Sequence, residues 1–553
     1  MQIIITNPHW ILLLALALCL FFGVLVLLAK PILRYAINRI ADDAISKLLS
    51  DKYTQNLAEF LPSLKRFSVL NVIDLSLRAE EGKVIARPLG TPKHFLGFEN
   101  LMLQPRQMTC LSLPENVQID MGVTIGSSAQ KPLAIKIPLM IGGMAYGLGL
   151  SEESKIALAK AANALQTATC SGEGPILPEE QAAAEKYVLQ ICRWSWGGRT
   201  DEQIASAAML EVQMGQGGDT GAARVEAAEI AGKARKLAGL SPGESPVSYP
   251  APPGIHQPED WPEFMKNLRR RANGIPIALK IMATDHIEED LSVALDLGFD
   301  AVVIDGAQGG SHATAPIKQD DLGIPTLHGL IRAKRYLKNH SISLIIAGGF
   351  FTPGQCLKAL ALGADAIYLA TVPLFALAHN QAQKALPWEP ITTLVYYDSP
   401  SKTQLNIGQA ATSVENVFTS MILEMEEAMR ALGKSSLKEL GPSDLVALDS
   451  ATAEVTGIRR VFDPPVSPLV TSRTPAEYQF DQSEKKFTNE EKQLWQSLDQ
   501  INSYLRYAHC LERLLVAALQ ELSNSTELSW VHQFRNEYNS LARQKATLDK
   551  LSP

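Results

Sequence analysis

From Ala301 onward the sequence repeats one device, a short apolar run that ends in glycine. Ala301-Val-Val-Ile-Asp305 runs into Gly-Ala-Gln-Gly-Gly-Ser-His312, Leu344-Ile-Ile-Ala347 runs into Gly348-Gly349-Phe, and Ala361-Leu-Gly-Ala-Asp-Ala-Ile-Tyr-Leu-Ala-Thr371 follows. Such runs suit strands buried on both faces, as in parallel sheets covered by helices. Paired glycines at their carboxyl ends let backbone N–H groups approach an anion, and the last rungs of a (β/α)8 barrel hold phosphate in this way. Apolar runs alternate with helical patterns upstream as well, which predicts repeated βα units. Eight strands are expected: Ala134 to Ile141, Gln166 to Cys170, Leu210 to Met214, Pro246 to Tyr249, Pro276 to Met282, Ala301 to Asp305, Ser343 to Ala347 and Ala366 to Ala370. The fourth is crowded by Pro246, Pro250, Pro252 and Pro253, which cannot donate to a ladder. Tyr187 to Trp194 reads either as a further strand or as a return loop. The fold class is therefore α/β, a TIM barrel, with an open doubly wound sheet as the competing arrangement.

The chain has 553 residues and a net charge of -7, too long for one ordinary domain and without an electrostatic reason to bind nucleic acid. Its six cysteines (Cys19, Cys110, Cys170, Cys192, Cys356, Cys510) form no C-x-x-C pair and have no histidine at metal spacing, so neither a disulfide scaffold nor a metal site is expected. Trp10 to Ala29 is apolar or small throughout, long enough to span a bilayer core of roughly 30 Å. No basic residue precedes it and no small-x-small cleavage site follows, whereas Lys30, Arg34 and Arg39 do; this predicts a membrane anchor at 10–29 with the body of the chain in the cytoplasm. The expected organisation is an anchor at 1–30, a stalk and lead-in segment at 31–106, the barrel at 107–462, and a proline-rich linker with a helical tail at 463–553. The tail opens on a capping box, Thr488 with Glu491, and its leucines predict packing on the barrel or on another copy of the chain.

Several strand ends carry chemistry. Gly142-Gly-Met-Ala-Tyr-Gly-Leu-Gly149 precedes Ser151-Glu-Glu-Ser154, a helix start with Ser151 as N-cap. Neither this turn nor Gly215-Gln-Gly-Gly-Asp-Thr-Gly221 matches G-x-G-x-x-G, which disfavours a Rossmann nicotinamide site. Thr169-Cys-Ser-Gly-Glu-Gly174 places Glu173 at the barrel mouth, where a carboxylate is either surface or functional. Lys280 interrupts Ile275-Pro-Ile-Ala-Leu-Lys-Ile-Met, and a lysine on an inner strand must reach solvent or meet an anion. Gly309, Gly310, Ser311, Gly348, Gly349 and Thr371 are the candidate phosphate donors. His312 reads as a loop histidine, with catalytic base as the alternative.

In order along the chain, Gly143-Met-Ala-Tyr-Gly, Ser171-Gly-Glu-Gly, Gln213-Met-Gly-Gln-Gly, Ile304-Asp-Gly-Ala-Gln-Gly-Gly and Ala347-Gly-Gly resemble the FMN-binding synthase domain of glutamate synthase and its membrane-anchored stand-alone relatives. The resemblance runs from about Gly90 to Gly433. It implies a TIM barrel with FMN, whose N5 passes a hydride to 2-iminoglutarate formed from 2-oxoglutarate and ammonia. Positions matching the family's flavin motifs are Gly143, Met144, Ala145, Ser171, Gln190, Lys280, Gly309, Gly310, Ser311, Gly348, Gly349 and Thr371. Lys280, which at the N1–C2=O edge of a reduced flavin would favour reduction electrostatically, and Glu173 are the expected catalytic residues. Gln213, Gln216 and Asp305 are the expected substrate contacts.

The chain also departs from the family. Gln213 stands where the family usually has a lysine, and Asp219-Thr-Gly where it has Lys-Pro-Gly, which bears on how a dicarboxylate is held. The cysteine trio that ligates the family's 3Fe–4S cluster is missing from Val372 to Pro387, so no cluster is expected. With the anchor expected at the amino-terminal end, no glutaminase domain is expected ahead of the barrel, so ammonia and electrons are expected from elsewhere, the donor unspecified. The expected activity is a membrane-tethered FMN oxidoreductase acting on an oxo or imino acid. The competing readings are a binding or scaffold subunit that has lost catalysis, and another flavin-barrel chemistry such as 2-hydroxy acid oxidation or isomerisation.

Overall fold

The computed structural model describes residues 8–52, 65–221, 225–311, 314–382 and 391–463; of residues 8–17, 19–28 and 30 it describes the backbone alone. The chain divides into two units, Met1–Pro464 and Pro465–Pro553. The second, with the expected tail and its Thr488 capping box, lies outside the described residues, as does His312.

Eight parallel strands close into a barrel in chain order: β1 (Leu139–Ile141), β2 (Thr169–Cys170), β3 (Tyr187–Ile191), β4 (Met209–Gln213), β5 (Ile277–Met282), β6 (Ala301–Asp305), β7 (Ser343–Ala347) and β8 (Ala366–Leu369). β8 returns to β1 through the register Ile367 to Leu139. Strand side chains alternate between the two faces of the wall. Ile277, Leu279, Ile281, Val302, Ile304, Leu344 and Ile346 pack outward against helices, whereas Met140, Cys170, Val188, Met209, Ala278, Val303, Ile345 and Tyr368 fill the interior. The same period turns Gln190, Glu211, Gln213, Lys280 and Asp305 inward. A hairpin of Val123–Ile125 and Leu133–Ile135 adds Ile125, Leu133 and Ile135 to the interior.

Three strand expectations change. Tyr187–Ile191 is the third barrel strand, hydrogen-bonded between β2 and β4. Pro246–Tyr249 is not in the barrel; it makes an isolated bridge from Ser248 to Trp194 and lies on the segment leaving β3. Its prolines lack the N–H groups a central strand needs. The run expected from Ala134 to Ile141 is also split, because Pro138 interrupts the donors between Leu133–Ile135 and β1 while its carbonyl accepts from Ile367 N at 2.8 Å.

Helices cover the outside. α1 (Glu152–Ala164) begins as expected, with Ser151 Oγ accepting from Ser154 N at 3.2 Å and Glu152 and Glu153 in the first turn. Downstream come α2 (Pro178–Ala183), α3 (Asp201–Ala205), α4 (Trp261–Ala272), α5 (Ile287–Asp296), the short α6 (Pro316–Asp320), α7 (Thr326–Tyr336), α8 (Pro353–Ala361), α9 (Thr371–Ala378) and the 25-residue α10 (Ile407–Ala431), which packs on α1. Leu101–Leu103 pairs antiparallel with Leu445–Ala447, so the lead-in and the end of this unit are clasped together.

Residues Pro8–Ser50 form one helix of 43 residues. Among the described residues no helix is long and apolar enough to cross a membrane. Apart from Leu18 and Ala29, the side chains on which the anchor at 10–29 was expected lie outside that description.

Candidate active site

The polar inner side chains gather at the carboxyl end of the barrel. Lys280 is 4 % exposed; its Nζ donates to Gln216 Oε1 at 3.0 Å and stands 3.8 Å from Asp305 Oδ2, an ion pair too long for a hydrogen bond. Burial opposes its charge, but Asp305, Glu211 and Glu173 outweigh burial and hold the ammonium above the ordinary lysine range. Asp305 is pushed up to about 6 by burial, against the pull of Lys280 and the Gly217 N–H. The expected contacts Gln216, Asp305 and Lys280 therefore form one cluster.

Three strand ends meet beside it. After β1, Gly143 lies against β2 and β3: a Cβ there would sit 2.8 Å from Gln190 Nε2 and 3.0 Å from Cys170 Sγ. After β2, Ser171 Oγ accepts from Gln190 N at 2.9 Å, and Gln190 Nε2 donates to Glu211 Oε1 at 2.6 Å. Glu211 is fully buried, and its Oε2 makes no hydrogen bond among the described residues. Behind these turns the fully buried Lys155 of α1 donates to the carbonyls of Met144 (2.7 Å), Cys170 (3.1 Å) and Ser171 (3.1 Å) and pairs with Glu180 Oε1 at 2.8 Å. Arg199 does the same for β3, donating to Gln190 O at 2.7 Å and Gly174 O at 2.9 Å. Gly143, Met144, Ala145, Ser171 and Gln190 are thus one locally cross-braced surface.

Glu173 belongs to a second cluster. Trp194 Nε1 donates to Glu173 Oε2 at 3.1 Å, Trp196 Nε1 donates to its carbonyl at 2.9 Å, and the two indoles stack with centroids 5.4 Å apart. Burial and then Asp219 raise the Glu173 carboxyl, against Arg193, Trp194 and Lys280. Burial also raises Asp219, although Lys318 Nζ lies 3.4 Å from its Oδ1. Arg193 is 1 % exposed and donates through Nε to Gln213 Oε1 at 3.3 Å and through Nη1 to Gly221 O at 2.6 Å. Gln213 Nε2 is buried without a hydrogen-bond partner.

The candidate phosphate glycines separate into two environments. Gly309, Gly310 and Ser311 pack against the lead-in: Leu89 N donates to Ser311 O at 3.3 Å, and a Cβ on Gly310 would meet Gly90 N at 2.8 Å. Close packing on protein backbone thus gives Gly310 a reason to be glycine apart from any ligand. Gly348 and Gly349, both at positive φ (108° and 78°), instead border a cavity of about 600 Å³ whose other walls include Lys93, His94, Phe98 and Gln308. Thr371 opens α9 immediately after β8. Among the described residues no group of histidine, cysteine, aspartate or glutamate is arranged to hold a metal ion.

Sequence reasoning singled out neither Arg193, Glu211, Lys155 nor Arg199. Arg193 follows β3 by two residues, so recognising Tyr187–Ile191 as a strand would have placed it at the mouth. Glu211 sits in the middle of Met209–Gln213, where a charge between apolar neighbours was the available signal.

The closed parallel barrel with its polar cluster at the carboxyl mouth defines a (β/α)8-barrel protein whose candidate site lies where such barrels carry theirs. Residues 97–435, more than half of the chain, match the family model described as the conserved region in glutamate synthase. The chain belongs to the glutamate synthase family. It is 27 % identical over 416 residues to a glutamate synthase large subunit-like protein of Rhizobium meliloti, covering 71 % of this chain and 93 % of that one. It is 26 % identical over 418 residues to an archaeal glutamate synthase [NADPH] of Archaeoglobus fulgidus, covering 70 % and 81 %. It is 24 % identical over 425 residues to an archaeal-type glutamate synthase [NADPH] of Thermotoga maritima, covering 72 % and 82 %.

Proposed function

We propose that this chain is an FMN-dependent oxidoreductase that acts on a 2-oxo or 2-imino acid, tethered to a membrane through residues 10–29 with its barrel in the cytoplasm. The observation that carries the reading is Lys280, a buried ammonium at the centre of the mouth whose nearest carboxylate stands 3.8 Å away. A buried cation so loosely paired suits a ligand that brings or acquires negative charge. The site fits a flavin on two further counts. The surface of Gly143, Met144, Ala145, Ser171 and Gln190 is braced from behind by Lys155 and Arg199, and Gly348 and Gly349 border a cavity large enough for a phosphorylated ligand.

On this reading Gly143 to Ala145, Ser171 and Gln190 hold the ring, Lys280 faces its electron-accepting edge, and Gly348, Gly349 and Thr371 receive the phosphate. When bound, the flavin supplies hydride transfer. Gln216 fixes the position of the Lys280 ammonium, and the Glu173 and Asp219 carboxyls, both raised by burial, stand beside the substrate for proton transfer. The printed names of the relatives, glutamate synthases, support an amino-acid-forming direction.

The test uses full-length protein purified in detergent. The flavin is reduced anaerobically, and 2-oxo acids are then added with and without ammonium while visible absorbance is followed. Reoxidation that requires both an oxo acid and ammonium supports the reading. A flavin that no oxo acid reoxidises would instead favour a binding subunit. Retention in membranes after an alkaline carbonate wash, lost on deleting residues 1–30, tests the anchor.

A further inference from the structure

Arg193 presents a charge without a counter-charge in contact. Its guanidinium is 1 % exposed, yet its hydrogen bonds end on neutral oxygens, Gln213 Oε1 at 3.3 Å and Gly221 O at 2.6 Å. Among the described residues no carboxylate lies within ion-pair distance of it. A buried cation in this condition is costly unless an anion completes it. The second observation is independent of the first: the Gln213 amide turns its oxygen to Arg193, leaving Nε2 buried without an acceptor. A guanidinium and a primary amide with donors to spare, side by side, match a planar anion with two oxygens.

Their placement fits a substrate. Arg193 leaves the end of β3 and Gln213 ends β4, while Gln213 is the register partner of Lys280 on β5. The three groups thus occupy consecutive rungs of the mouth.

We propose that Arg193 and the Gln213 side-chain amide form the site for the carboxylate of the 2-oxo or 2-imino acid, taken at the carboxyl ends of β3 and β4 beside Lys280. The assignment rests on the functional reading above for the substrate class. It also accounts for glutamine at 213: the cation at this rung is supplied from the neighbouring strand end. Glu173 and Asp219 both feel the guanidinium, which opposes the upward shift that burial imposes on each carboxyl, but neither stands within ion-pair distance of it.

The test is calorimetric titration of the full-length protein with pyruvate, 2-oxoglutarate and methyl pyruvate, with flavin content measured separately on each preparation. Wild type is expected to prefer pyruvate over its methyl ester. R193M is expected to weaken pyruvate at least about 30-fold and to abolish the acid-over-ester preference, with R193K recovering part of it. Q213L, which leaves the guanidinium in place, is expected to weaken pyruvate about 5- to 10-fold. Loss of the preference, unlike a loss of affinity, is not produced by a purely structural role. An R193M protein that keeps its affinity or its preference overturns the assignment, and so does a wild type that binds neither oxo acid. A colourless wild type whose pyruvate binding still depends on Arg193 refutes the flavin reading and upholds this one.

Discussion

Replacing Lys155 by methionine tests how the mouth is built. The fully buried ammonium gathers the Met144, Cys170 and Ser171 carbonyls and the Glu180 carboxylate within 2.7–3.1 Å, so one side chain fixes the turns after β1 and β2. Removing one partner of a buried pair costs about 3–5 kcal/mol, because the other is left uncompensated. At about 2–4 °C per kcal/mol, the value for domains of roughly 150–250 residues, the barrel transition should fall by roughly 6–20 °C. Glu180 gives the effect a pH signature. Burial pushes its carboxyl up to about 7, even though Lys155, Tyr187 and Arg199 pull it down. Its folded value lies above the ordinary one, so the associated stability is complete at low pH and is lost as pH rises through about 7. Without Lys155 the carboxyl rises further, so the K155M deficit should be smaller near pH 6 than near pH 8. K155M/E180M, which replaces the pair with side chains of similar volume, should regain more than half of the loss. The assay is thermal unfolding of the single and double variants at both pH values. A K155M protein within about 1 kcal/mol of wild type, or a double variant no more stable than the single, would refute the reasoning.

Other expectations follow from the same geometry. K280M should bind reduced flavin less tightly by about 1.5–3 kcal/mol and shift the reduction potential negative, measured by anaerobic dye-coupled reduction; an unchanged potential contradicts the role given to Lys280. Asp305 is pushed up to about 6, above its unfolded value, so its contribution to stability is full at low pH and lost as pH rises through about 6. D305N should flatten stability against pH across that interval, and an unaltered profile counts against a titrating Asp305. G348A should destabilise by about 1–3 kcal/mol, because the backbone is at φ 108° and a Cβ would meet Thr326 Oγ1 at 2.7 Å. Unfolding within error of wild type would show that the turn adapts.

The barrel was legible wherever strands are long and apolar on both faces. β5 to β8 emerge from runs such as Ala301–Asp305 and Ser343–Ala347, and their period of two turns Lys280 and Asp305 inward. The third strand was not legible, because Tyr187–Ile191 continues into Cys192, Arg193 and Trp194 without a turn residue, while Pro246–Tyr249 offered a decoy. That ambiguity hid Arg193. Lys155 was hidden for another reason: on a helix written Glu-Glu-Ser-Lys a lysine reads as solvated, and only tertiary packing turns it toward carbonyls from two distant strand ends. The close packing of the diglycine at 309–310 on Leu89–Gly90 was not legible, because that contact joins segments far apart in sequence and leaves no local trace.

A redox-active flavin in the mouth around Lys280 underlies the rest of the proposed function. Its most direct test is the visible spectrum of full-length protein purified in detergent and incubated with FMN, followed by release and quantification of the bound flavin. The expected result is a yellow protein that retains about one FMN per chain through gel filtration and bleaches on anaerobic reduction, with retention diminished in K280M. A folded wild-type protein that stays colourless and takes up no FMN would contradict it.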